Sequence, residues 1–278
     1  MTRDSTAVGA GPTGVAYDPV RGRTYVSNWN STTVSVIDTT GVTNTVIATV
    51  TVGNNPQAVA VTPDGSKVYT ANYGSGTVSV INAATGSVGA TVTVGGSPWD
   101  VAVDPTGTKA YVTRTGPGGV VSVIDVGSNT VSAVITVGGV PVDVAVNSAG
   151  TRAYVTNYQG SPGDYVSVID TVLNSEIATI GIGGGLVGVA VNPSGSRVYV
   201  VSEGNASVSV INAATNTIIT AIPVGSRPID VAVSRDGTRA YVTNHGSNTI
   251  SVIDTITNTV IATVPVSTNP LPLLTRTQ

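Results

Sequence analysis

One phrase recurs six times along the chain, and no other feature constrains the fold as strongly. In its cleanest copy it reads VGSRPIDVAVSRDGTRAYVTNHGSNTISVID, from Val224 to Asp254. The last three residues set the register: Val36-Ile37-Asp38, Val80-Ile81-Asn82, Val123-Ile124-Asp125, Val168-Ile169-Asp170, Val210-Ile211-Asn212 and Val252-Ile253-Asp254. Their spacings are 44, 43, 45, 42 and 42 residues. A period in the range of about 40–50 residues, built from short β-type runs, is that of a propeller blade.

Within the phrase, Val231-Ala232-Val233 is a first short strand, and Arg235-Asp236-Gly237 supplies turn chemistry in which Gly takes a positive φ. Ala240-Tyr241-Val242-Thr243 is a second strand, rich in β-branched and aromatic residues. A polar loop over 244–248 leads to a third strand ending at Asp254, and residues 259–266 form a fourth, outer strand where Pro265 is tolerated at an edge. Each unit carries one Tyr in its second strand: Tyr25, Tyr69, Tyr111, Tyr154, Tyr199 and Tyr241. These rings are expected between adjacent blades, each hydroxyl needing a polar partner. A small Ala at the centre of each first strand, as in Val59-Ala60-Val61, suits a crowded inner ring.

The sequence therefore predicts an all-β, six-bladed β-propeller with four antiparallel strands per blade, one domain over 1–270 and a tail over 271–278. Closure of the ring is expected to remove exposed sheet edges. Residues 6–12 and 263–270 both match the same outer-strand and connector segment, and the C-terminal copy is expected to complete the last blade.

Charged residues make up 10% of the chain and the net charge is −3, so there is no basic footprint for nucleic acid. No apolar run reaches the roughly 20 residues of a membrane span. The absence of Cys removes disulfides and thiolate metal sites. The N-terminal MTRDSTAVG has no apolar signal-peptide core, while the Thr-, Ser- and Val-rich, Lys-poor composition favours an exported protein.

The strings YVSN (25–28), YVTN (154–157) and YVTN (241–244), with DPTG, NPSG, SVID and TVIATV between them, resemble the YVTN family of β-propeller repeats. YTAN (69–72), YVTR (111–114) and YVVS (199–202) depart from that pattern at the strand-to-loop end. The resemblance implies a propeller of the surface-layer or otherwise exported kind, and an extracellular or cell-surface location. It transmits fold far better than activity.

Strand alternation gives the propeller two faces. On the turn face Arg23, Lys67, Lys109, Arg152, Arg197 and Arg239 start second strands, opposite Asp38, Asn82, Asp125, Asp170, Asn212 and Asp254. Cross-strand pairing is the expected role of these cations, worth about 0.2–1 kcal/mol each. The opposite face is irregular, which is where a repeat scaffold carries function. Just after the YVTN strings stand Trp29, Tyr73, Thr115, Tyr158, Glu203 and His245. Before the VAV strings stand Gly14, Ala58, Asp100, Asp143, Gly188 and Asp230, near the channel mouth, joined by Trp99, Arg114 and Arg227. Two loops are lengthened, at 116–119 and 159–164. Aromatic platforms beside carboxylates suit a sugar or peptide site. Packing between blades is the competing role for Trp29, Tyr73 and Tyr158.

The leading expectation is a monomeric, non-catalytic module binding a carbohydrate, peptide or protein on this loop face, without a cofactor. A divalent-metal lactonase or hydrolase is the enzymatic alternative, with Asp100 and Asp143 as hard oxygen ligands for Ca²⁺ or Mg²⁺. The Glu and Asn residues of gluconolactonase-type channels lack clear counterparts, and three acids at equivalent repeat positions also fit strand capping. A structural spacer in a larger surface protein is the third reading. His245 is the only histidine. It has no nucleophile-elbow pattern beside it, so neither a Ser-His-Asp triad nor a histidine-rich zinc or copper site is expected.

Overall fold

Val, Ile, Thr and Tyr alternate in runs of six or seven, and each run forms a strand in the computed structural model, which describes residues 6–41, 43–116, 118–158 and 163–266. Twenty-four strands assemble into six four-stranded antiparallel sheets, each built from consecutive strands in chain order. The protein is a six-bladed β-propeller. Inner strands are Pro12–Asp18, Pro56–Val61, Ser97–Val103, Val140–Val146, Leu186–Val191 and Pro228–Val233, in blades 1 to 6. The outer strand of blade 6, Thr259–Pro265, pairs with the third strand Thr249–Asp254, so the C-terminal copy does complete the last blade. The tail 271–278 lies outside the described residues, as do Pro117 and 159–162 of the two lengthened loops.

Turn chemistry follows the sequence closely. In blade 6, Gly237 sits at φ 72°, where a Cβ would be strained, and the Asp236 carboxylate accepts the Thr238 amide and the Ser234 and Thr238 hydroxyls. The Asp or Asn ending each third strand caps the next hairpin; Asp170, for example, accepts the Val172 and Leu173 amides.

That capping explains a correction. The register places Arg23 opposite Asp38, Lys67 opposite Asn82, and so on through Arg239 opposite Asp254, as expected. Yet the first five cations do not make ion pairs with those partners. Each reaches across to a main-chain carbonyl of the following blade: Arg23 to Ala83, Lys67 to Val126, Lys109 to Thr171, Arg152 to Ala213 and Arg197 to Thr255. The facing acids are occupied by turn amides, and a long side chain finds its acceptor on the next sheet. Arg239 alone pairs with its own Asp254, at 2.7 Å.

The core is a series of junctions between sheets. Five apolar clusters fill the junctions from blade 1–2 to blade 5–6. In each, the leading face of one blade (Ala16, Tyr25, Val36 and Val50 in blade 1) meets the trailing face of the next (Val59, Val68 and Ile81 in blade 2). Tyr25, Tyr69, Tyr111, Tyr154 and Tyr199 are all at most 1% exposed.

Ring closure is the second correction. Among the described residues, no comparable packing joins the inner strands of blades 6 and 1, although every consecutive pair of inner strands is in contact. Tyr241, the sixth ring of the series, is 38% exposed. The six sheets therefore form an arc with a seam. No helix among the described residues is long and apolar enough to cross a membrane.

Candidate functional site

The Asn that ends the YVTN string prepares the loop face. Its amide donates across to hydroxyls of the third strand: Asn28 to Thr33 and Ser35, Asn72 to Thr77 and Ser79, Asn244 to Thr249 and Ser251. The residue that follows is carried upward on this bracket. In blade 1 it is Trp29, and in blade 2 Tyr73, which opens a single 3-10 turn, Tyr73–Ser75.

Trp29 and Tyr73 converge with Trp99, which comes from the start of the blade 3 inner strand. Ring centroids lie 5.1 Å apart for Trp29–Tyr73, 5.7 Å for Tyr73–Trp99 and 6.4 Å for Trp29–Trp99. All three pairings are tilted or edge-on, the arrangement favoured by ring quadrupoles. None of the three side chains is buried; each keeps part of its surface open. Three sequence-predicted residues on three blades thus form one aromatic platform.

Trp99 also lines a cavity of about 100 Å³ on the channel axis. Its wall is Gln57, Trp99, Val142, Val187 and Ile229, one residue from each of blades 2 to 6, with Asp100, Asp143, Gly188 and Asp230 beneath. The collar was not singled out by the sequence reading. Its signal was present, since every collar residue immediately precedes the position occupied by Asp100 or its equivalent.

The three aspartates are buried, at 3–5% exposure. They act as clasps. An Asp100 carboxylate oxygen accepts the Val144 amide of the next blade, at 3.0 Å. Asp143 accepts the Val189 amide of the next blade at 2.7 Å and the Val144 amide at 2.8 Å. Asp230 accepts the Val231 amide at 2.8 Å. Such bonds hold the inner strands at their bulges, which occur at this place in every blade. Their geometry fits strand capping. Among the described residues no group of three or more His, Cys, Asp or Glu side chains is placed to share a metal ion.

The other candidates are dispersed around the rim. Glu203 and Arg227 pair with each other at 3.0 Å on an exposed edge between blades 5 and 6. Arg114 turns to the Val94 carbonyl, and burial lowers its guanidinium pKa below the usual value. Tyr158 lies against the Gly185 backbone, where a Cβ would meet its ring at 3.2 Å. His245 is half-buried, and its amide bonds to the Arg227 carbonyl. None of these five joins the ring contacts of the platform.

Residues 2–94 match the model of a family described as lactonase, 7-bladed beta-propeller. No curated protein matches the sequence. Among solved structures, a Kuenenia stuttgartiensis hydrazine synthase chain is similar at TM-score 0.86 and 21% identity, covering 96% of this chain and 90% of that one. A functionally unknown protein from Desulfotomaculum acetoxidans aligns at TM-score 0.79 and 17% identity, over 93% and 86%. A candidate 6-phosphogluconolactonase from Bacteroides uniformis aligns at TM-score 0.80 and 17% identity, over 95% and 88%. At these identities the likenesses establish the propeller fold.

Proposed function

We propose that this propeller is a non-catalytic recognition module, and that its ligand stacks on Trp29, Tyr73 and Trp99 and reaches into the collar below. The observation that carries the reading is the convergence of three partly open aromatic rings from three blades, one of which, Trp99, also lines an axial cavity. Rings presented this way bind the apolar face of a sugar or an apolar peptide side chain. The charged groups of the loop face are already engaged: Arg227 with Glu203 on the rim, Arg114 with a carbonyl, Asp100 and Asp143 with amides. An uncharged ligand matches that surface. The YVTN-type repeats support a place outside the cytoplasm, which cell fractionation would test.

Binding to a glycan array and a peptide panel, compared between the native chain and Trp29→Ala/Trp99→Ala, tests this. The expected result is loss of binding with a melting temperature changed by only a few degrees. A collapse in melting temperature would assign the rings to packing instead.

A second reading, a lactone hydrolase, is favoured by the family match over residues 2–94 and by the Bacteroides uniformis likeness. It requires turnover of a sugar lactone that falls on Asp143→Asn substitution. Absence of turnover with and without added Ca²⁺ or Mg²⁺ would remove it.

A further inference from the structure

Positions that face a neighbouring blade inside the arc have equivalents at the seam, and several of the apolar ones are uncovered there. On the leading face of blade 6, Tyr241 is 38% exposed and Val264 42%, whereas the five residues equivalent to Val264 are 3–5% exposed. Ile250 and Val252 are partly exposed although their counterparts in the other blades are buried. On the trailing face of blade 1, Val15 and Thr24 are partly exposed and Tyr17 is 37% exposed, while Val59, Val101, Val144, Val189 and Val231 are buried.

Polar groups at the seam lack the partner that the repeat supplies elsewhere. Ser27, Thr113 and Thr156 donate to the carbonyls of Gln57, Val142 and Val187 on the following blade. Thr243 stands at the same position in blade 6; it is 1% exposed, and its hydroxyl has no partner among the described residues. Arg239, equivalent to the five cations that reach the next blade, folds back onto the Thr238 carbonyl and Asp254.

The entry to blade 1 is that of an internal blade. The Trp29 and Asn30 amides bond to the Gly11 and Ala10 carbonyls, as Tyr73 and Gly74 bond to Asn55 and Asn54, and His245 and Gly246 to Arg227 and Ser226. In those last two cases the bonded segment is the connector arriving from the preceding blade's outer strand.

We propose that the seam is the seat of a seventh blade, a four-stranded sheet of this same repeat. It would present a Val/Ile trailing face to Tyr241 and Val264, a carbonyl to Thr243 and another to Arg239, and a Tyr-bearing leading face to Val15 and Tyr17. A second copy of the chain could cover Tyr241 with its own blade 1, but it would leave one seam open on each copy and close neither ring. The matching family model is of seven-bladed propellers. The three similar structures each keep 10–14% of their chain outside the match, close to the share of about one blade in seven.

The test compares the native chain with a chain carrying a second copy of residues 225–266 directly after Val266. Hydroxyl-radical labelling of Tyr241 is read by mass spectrometry, with Tyr199 as the buried reference and light scattering for mass. The native chain should be monomeric, with Tyr241 labelled about tenfold faster than Tyr199. In the grafted chain Tyr241 should fall to the Tyr199 rate, and the melting temperature should rise by about 5 °C or more. Placing the copy ahead of Ala7 instead gives a second arm should the first fold poorly. Three results would overturn the proposal: a native monomer with Tyr241 already protected, a native dimer with Tyr241 protected, or Tyr241 labelling unchanged in both grafts.

Discussion

The junction between blades 3 and 4 and the seam between blades 6 and 1 use the same side chains to opposite effect. At the junction, Tyr111 is 0% exposed, Thr113 donates to the Val142 carbonyl, Asp100 accepts the Val144 amide, and Lys109 bonds to the Thr171 carbonyl on the next blade, 62 residues away in sequence. At the seam, Tyr241 is open to solvent and Arg239 turns inward on its own blade. A repeat residue therefore has no fixed contribution. Its worth is set by whether the next sheet is present, the nearest-neighbour logic of repeat proteins.

Tyrosine truncation gives the sharpest contrast. Tyr111→Ala or Tyr199→Ala should cost about 3–5 kcal/mol, the loss for deleting a large buried ring. Tyr241→Ala should cost well under half of that, because the ring starts partly in water. Urea denaturation of the three variants decides, and equal costs would mean that the seam is closed in solution. Next in size is Asp143→Ala, which strands the buried Val189 amide, leaves the Val144 amide to Asp100, and should cost about 1–3 kcal/mol by the same assay. A loss of only a few tenths would show that the clasp is not a stabilising element. Smaller still is the hydroxyl comparison: Thr156→Val should cost about 1 kcal/mol by depriving the Val187 carbonyl of its donor, whereas Thr243→Val should be neutral. A matching loss at Thr243 would place an acceptor at the seam.

Alkaline titration reads the internal junctions as a group. Burial, the leading cause in each, raises the phenol pKa of Tyr25, Tyr69, Tyr111 and Tyr199 above 10.0. The fold thus favours the neutral phenol. This contribution is complete below pH 10 and declines as pH rises from 10 towards the folded values, where the unfolded chain ionises first. Acid acts on the turns instead. Hydroxyls and amides of nearby residues lower the Asp38, Asp64 and Asp125 carboxyls, and bring Asp236 from 3.8 to about 2, with the Ser234 hydroxyl as first cause. Their contribution is complete above pH 3.8 and disappears as pH falls towards 2. Melting temperature followed across both limbs should decline at each end, and a flat alkaline limb would show that the phenols ionise in place.

Blade count, strand register and the ring of tyrosines were legible because each depends on local pattern: the Val-Ile-Asp triplet and Gly turns fix one blade at a time. Closure was not legible, since whether blade 6 meets blade 1 is a property of the whole arc that no single repeat encodes. The cations were misread for a related reason. Register correctly put Arg23 opposite Asp38, but it is silent on the next sheet, where the Ala83 carbonyl proved the better acceptor. At the site, Trp29 and Tyr73 were visible as loop residues on adjacent blades, and their meeting with Trp99 follows from the blade order. The collar residue Ile229 escaped notice because an apolar residue beside a strand looks like core, and only its place on the axis gives it to the cavity.

The asparagine brackets of blades 1, 2 and 6 have one last consequence. Asn28, Asn72 and Asn244 pin the strand end from below with bonds to the third strand, so the residue above them holds its place through its main chain whatever its side chain. Trp29, Tyr73 and His245 occupy that place in turn, three unrelated chemistries on one mounting. Each is an interchangeable head on a common socket, and exchanging heads between blades is the natural way for such a molecule to acquire a new specificity without renegotiating its architecture.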